Sequence, residues 1–187
     1  MIDKKSFEKM RKELEDFENK REITIQNSRE IIKLSKQIIY AVHRNEINEV
    51  APLLKEIKNK IKLLDKTKNY DTGISSTAFQ EYVEAITYYE FIKNNKIPTA
   101  KELDVNIEEY LGGLADLTGE LGRKAVHDAI KNDVGSCMKI KEVVEEIHGE
   151  FLKFNLRNGE LRKKSDSIKW NLNKLEDLML SLKINKR

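Results

Sequence analysis

Two acidic pairs at helical spacing stand out in this chain: Glu81 and Glu84 within Gln-Glu-Tyr-Val-Glu-Ala (80–85), and Asp116 and Glu120 within Leu-Ala-Asp-Leu-Thr-Gly-Glu-Leu (114–121). Residues three or four apart share a helix face, so each pair projects two carboxylates from one patch. Like charges so placed cost ~0.2–0.5 kcal/mol per pair unless a cation offsets them. Gly112, Gly113, Gly119 and Gly122 surround the second pair, and each glycine costs a helix roughly 1 kcal/mol relative to alanine. If the two helices are adjacent, four carboxylates converge. Hard oxygen ligands suit Mg²⁺ or Mn²⁺ rather than zinc. Such a cluster can activate a water and neutralise charge on a phosphodiester during in-line displacement.

Spacing alone leaves a competing reading open, in which both acidic faces simply meet water. Lys124, four residues after Glu120, can also balance part of the charge without a metal. Steps of 100° per residue place Tyr110, Leu114, Leu117 and Leu121 on an apolar stripe, and Gly113, Asp116, Glu120, Arg123 and His127 on a polar line. On the other acidic helix, Phe79, Tyr82, Val83 and Ile86 form the core face, with Thr77, Glu81, Glu84 and Tyr88 opposite.

A third surface carries positive charge. Arg29, Lys33, Lys36, Tyr40, His43 and Arg44 share one face of the first helix, and Leu34, Ile38, Ala41 and Val42 the core side. A basic stripe with an aromatic fits a phosphate backbone and an unpaired base; a solvated helix face is the alternative.

The elements that position these groups are helices throughout. No segment alternates with the period of a strand, and 187 residues contain only two prolines and eight glycines, which favours long helices and few turns. The pattern predicts helices over 4–44, from Pro52 to about Lys68, 75–94, a short turn capped by Thr99, 106–131, 136–149 and 160–183. Asp71-Thr72-Gly73 and Asn94 to Pro98 read as breaks. In the last helix Leu161, Ile168, Leu175 and Leu182 recur every seven residues, with Ser165, Leu172 and Met179 between them. This heptad seam serves equally for packing within one bundle or between subunits. Trp170 lies off the seam, facing a second surface.

Composition narrows the class. Hydrophobic residues make up 39% and charged residues 36%, and the net charge is +3, so bulk charge does not announce a nucleic-acid protein. The single cysteine, Cys137, cannot form an internal disulfide and reads as a buried side chain. There is no signal-peptide pattern and no apolar run of bilayer-spanning length, so a cytoplasmic protein is expected. His43, His127 and His148 lack zinc spacing, Glu145 and His148 are one copy of a pair that ferritin-like sites need twice, and no phosphate-binding loop is present.

Several strings together resemble the translin family, which includes translin and translin-associated factor X (Trax). Arg29-Glu30-Ile31-Ile32-Lys33-Leu34-Ser35 and Val42-His43-Arg44 look like the family's first-helix pattern. The segments 80–85 and 110–121 look like Trax, whereas 161–170, Leu-Arg-Lys-Lys-Ser-Asp-Ser-Ile-Lys-Trp, looks closer to translin. The resemblance covers most of the chain. It implies one all-α domain over 1–187, a bundle of about seven helices with long terminal helices, assembling into a hollow homo-oligomeric shell, an octamer. It also implies binding of single-stranded RNA or DNA. Trax-type members are Mg²⁺-dependent endoribonucleases whose catalytic, metal-holding acids match Glu81, Glu84 and Asp116, with Glu120 matching a further acid. Arg29, Lys33, Lys36, Tyr40, His43, Arg44, Arg123 and His127 are then the expected nucleic-acid contacts. Two alternatives stand beside this expectation: a non-catalytic single-strand binder of the translin type, and a helical adaptor assembling through its heptad seam.

Overall fold

A computed structural model describes residues 2–66 and 72–184. Seven helices occupy the described residues: α1 (Lys4–His43), α2 (Ile47–Lys66), α3 (Ile74–Asn94), α4 (Ala100–Leu103), α5 (Ile107–Ile130), α6 (Val134–Phe151) and α7 (Glu160–Ile184). The fold is all-α, as expected. α3 and α5 lie side by side at the centre, α1 covers α3 with α2 behind it, and α6 and α7 cover α5.

Helix boundaries follow from local chemistry. Asp3 caps α1 by accepting the Lys5 amide at 3.0 Å. Thr99 and Glu102 form the reciprocal capping box of α4, and Asn106 and Asp133 cap α5 and α6. The chain turns at Asn45, Asn95, Asp104 and Asn132, all with φ between 54° and 62°. These short polar side chains tolerate the left-handed region that most residues avoid, so the helices end without a glycine at the turn.

Two boundaries differ from the sequence expectation. α2 begins at Ile47, so Pro52 sits inside it rather than at its start. The missing proline N–H leaves the Asn48 carbonyl without its helical partner, and Asn48 is exposed, so water can satisfy that group. The expected end at Lys68 and the Asp71 break lie outside the described residues. α6 runs from Val134 to Phe151, longer than expected at both ends.

One apolar core joins the helices. Ile168, Leu172 and Leu175 of the α7 seam are buried within the chain, while Leu161, Ser165, Met179 and Leu182 are half-buried. The centre of the seam therefore packs inside the bundle. Trp170 instead faces solvent, 70% exposed. Cys137 is buried and its thiol donates to the Ala125 carbonyl at 3.2 Å. The first half of α1 projects beyond the body, and Phe7, Met10, Leu14 and Phe17 form an exposed apolar stripe along it. No described helix is long and apolar enough to cross a membrane.

A carboxylate centre between three helices

The close approach of α3 and α5 creates the site. A Cβ added at Gly113 would lie 2.6 Å from both the Gln80 carbonyl oxygen and the Val83 Cβ. Backbone cannot give way there, so only glycine permits this crossing. Gly112 leaves room for the Gln80 side chain in the same way. Gly119 and Gly122 have no such neighbour closer than 3.7 Å. Two of the four glycines thus set the helix separation, and Gly113 lies under α3 rather than on an open polar line.

At that crossing Glu81 and Glu84 of α3 share one field with Asp116 and Glu120 of α5. The faces do not simply meet water: the Glu81, Glu120 and Asp116 side chains keep only 22%, 24% and 31% of their exposure. The reason is that α3 is buried around most of its circumference, including Tyr88, which the wheel placed opposite the core.

Each carboxylate meets a different partner. Glu120 Oε2 lies 2.5 Å from His43 Nε2, and the Tyr88 hydroxyl lies 3.0 Å from Nδ1 of the same ring. Arg123 approaches Glu120 from solvent at 3.7 Å. The His43 hydrogen bond holds the Glu120 carboxyl below its ordinary range. Burial, with Glu120 nearby, pushes the Tyr88 phenol up, so its hydroxyl stays protonated. Asp116 Oδ2 pairs with the Lys164 ammonium, which reaches in from α7 and also donates to Gln80 Oε1 at 2.6 Å. Lys36 stands 3.9 Å from Glu81. Desolvation raises the Glu81 carboxyl despite that lysine.

Glu84 is the exception, with no side-chain partner for its carboxylate among the described residues. Burial first, then repulsion from Asp116, Glu81 and Glu120, pushes it up to about 8. Lys124 brings no relief to Glu120, because it pairs with Asp128 at 2.5 Å.

Among the described residues, no three His, Cys, Asp or Glu side chains are arranged to hold one ion together. Lys164 and His43 hold two of the carboxylates in other contacts. The donor chemistry itself suits a hard divalent cation: four clustered carboxylates, one of them pushed toward its protonated form by burial and by its acidic neighbours.

The translin family model matches residues 19–186. The chain belongs to the translin family. It is 35% identical over 153 residues to an uncharacterised protein of Methanocaldococcus jannaschii, covering 78% of this chain and 68% of that one. It is 27% identical over 192 residues to the translin-associated protein X homolog of Schizosaccharomyces pombe, covering 90% and 83%. Among solved structures, apo-NeC3PO superposes with a TM-score of 0.89 at 29% identity, covering 94% of this chain and 96% of that one. AfC3PO in a duplex RNA complex superposes at 0.84 and 28% identity, covering 96% and 97%.

Within this translin-family chain the expected nucleic-acid contacts divide. Arg29, Lys33, Lys36 and Tyr40 do share an open face of α1, with Ile32 and Gln37 between them. Arg44 lies 5.5 Å over the Tyr40 ring and pairs with Glu46 at 2.6 Å, so one face of that ring is already covered. Arg123 and His127 are exposed on α5. His43 leaves the basic face altogether, with a side chain only 9% exposed and committed to Glu120.

Three members of the site were not singled out as such from the sequence: Tyr88, Lys164 and Gln80. Helical wheels register only neighbours on one helix, and all three act across helices. Lys164 carried a faint signal, lying within the translin-like string 161–170.

Proposed function

We propose that this chain binds single-stranded RNA and cleaves it as a metal-dependent endoribonuclease, within a homo-oligomeric, octameric shell. The carrying observation is the convergence of Glu81, Glu84, Asp116 and Glu120 on one half-buried patch in which Glu84 has no cationic partner. Those four side chains would hold Mg²⁺ or Mn²⁺, which when bound supplies the positive charge that stabilises a phosphodiester under attack by water. His43, itself held by the Tyr88 hydroxyl, holds Glu120 in place. Lys36 and Arg123 offer phosphate contacts beside the acids, with Arg29, Lys33, Tyr40, Arg44 and His127 elsewhere on the same two helices. A relative in complex with duplex RNA supports RNA as the ligand. Single-stranded DNA fits the same phosphate and stacking contacts, which discriminate poorly between the two.

A second reading is a non-catalytic binder, favoured by the absence of a ready three-ligand arrangement among the described residues. One assay separates them: labelled single-stranded RNA with the parent chain and with Glu84→Ala, in Mg²⁺ or EDTA, scored for both retention and fragment length. The nuclease reading expects Mg²⁺-dependent fragments that fall by at least about 100-fold in Glu84→Ala, with retention little changed. Retention without fragments in either condition establishes the binder.

A further inference from the structure

We propose that Lys164 is a built-in counter-ion that competes with the divalent cation for Asp116, and that metal entry releases it into the adjoining groove. This rests on the carboxylate centre holding a metal.

Lys164 comes from α7, while the acids come from α3 and α5, so an element outside the acidic pairs controls their charge. Its ammonium pairs with Asp116, donates to Gln80, and acts on Glu81 and Glu84. It therefore stands among the oxygens that a divalent ion would use. A dication and an ammonium at the same half-buried carboxylate repel one another. The lysine side chain is 29% exposed. A groove of about 950 Å³ opens beside it, lined by Ser76, Thr77, Gln80, Asn155, Arg157 and Lys164 itself. Four flexible methylenes let the ammonium exchange Asp116 for that groove, a motion a rigid guanidinium fork makes less readily.

The test is Mn²⁺ binding by the intact protein, followed by the loss of the free-ion paramagnetic resonance signal, for the parent, Lys164→Met, Lys164→Arg and Asp116→Asn. Lys164→Gln serves if the methionine variant misfolds by circular dichroism. Removing the ammonium should tighten Mn²⁺ at least about tenfold, the scale on which groups around a metal site tune its affinity. Lys164→Arg should bind no tighter than the parent, and Asp116→Asn should bind more weakly. Unchanged or weaker Mn²⁺ binding in both neutral variants overturns the counter-ion role while leaving the metal site standing. Absence of Mn²⁺ binding by parent and neutral variants alike overturns the metal site and this role with it.

Discussion

His43 Nε2 and Glu120 Oε2 lie 2.5 Å apart although 77 positions separate the residues. The contact closes the carboxylate centre from the α1 side, and Tyr88 completes it at the opposite ring nitrogen, 3.0 Å away. Replacing His43 by alanine strands a partly buried carboxylate and a buried hydroxyl. Leaving a buried polar group unpaired costs about 1–3 kcal/mol, so His43→Ala should lose about 2 kcal/mol in urea denaturation. Under the proposed nuclease function, metal-dependent cleavage should drop about 10–100-fold, as for other partners that orient a metal ligand. Unaltered stability would show that the contact does not form.

The metal-free protein should become less stable as pH rises from 5 to 8. The Glu84 carboxyl is pushed up to about 8 in the folded chain, against about 4.3 unfolded. The folded state thus binds more protons across that window, and the unfolding free energy falls with pH. This contribution is fully present below the unfolded value and lost as pH passes through about 8. Glu120, held below its ordinary range, acts oppositely: its contribution is present above its unfolded value and fades on acidification. Urea midpoints at pH 5, 6, 7 and 8 should slope downward for the parent and flatten in Glu84→Gln.

The α3–α5 crossing makes opposite predictions for two glycines. Gly113→Ala forces a Cβ against backbone at 2.6 Å and should cost about 1–3 kcal/mol while spreading the acids. Gly122 has nothing within 4 Å, so Gly122→Ala should stabilise by about 0.5–1 kcal/mol through helix propensity alone. Thermal denaturation of the two variants reads both signs.

On the open face of α1, Arg29→Glu with Lys36→Glu should weaken RNA retention. Each lost phosphate contact reduces the slope of log affinity against log salt by about 1. A slope identical to the parent's would remove this face from the interface. Lys36 also stands beside Glu81, so the Arg29 substitution alone isolates the binding effect.

Self-association should depend on the projecting half of α1. Phe7, Met10, Leu14 and Phe17 are spaced like a heptad seam and remain exposed, whereas the centre of the α7 seam is spent inside the chain. Leu14→Lys with Phe17→Lys should lower the mass measured by light scattering and leave the helical content unchanged. An unaltered mass would place the contact elsewhere.

The sequence by itself determined the all-α class and the approximate helix limits, and it singled out the four acids as candidates. Local rules suffice for these: the 3.6-residue period, the caps at Thr99 and Asn106, and the Asn and Asp turns all act within a few residues. It also placed Arg29, Lys33, Lys36 and Tyr40 on one face of a single helix. Tertiary structure decided what those residues meet. His43 reads as part of a basic stripe when α1 is viewed alone, yet it belongs to the acids because the end of α1 meets Tyr88 of α3 and Glu120 of α5. Tyr88 reads as polar-facing, yet is buried because α3 is covered on two sides. Lys124 reads as the partner of Glu120 at four residues' spacing, yet Asp128 at the same spacing takes it. Gly112 and Gly113 look like isolated helix penalties until the Gln80 backbone and side chain are set against them. Lys164 reaches Asp116 only because α7 folds back over α5. A helical wheel fixes where a side chain points, but charge, burial and pairing depend on which helix comes to lie opposite it.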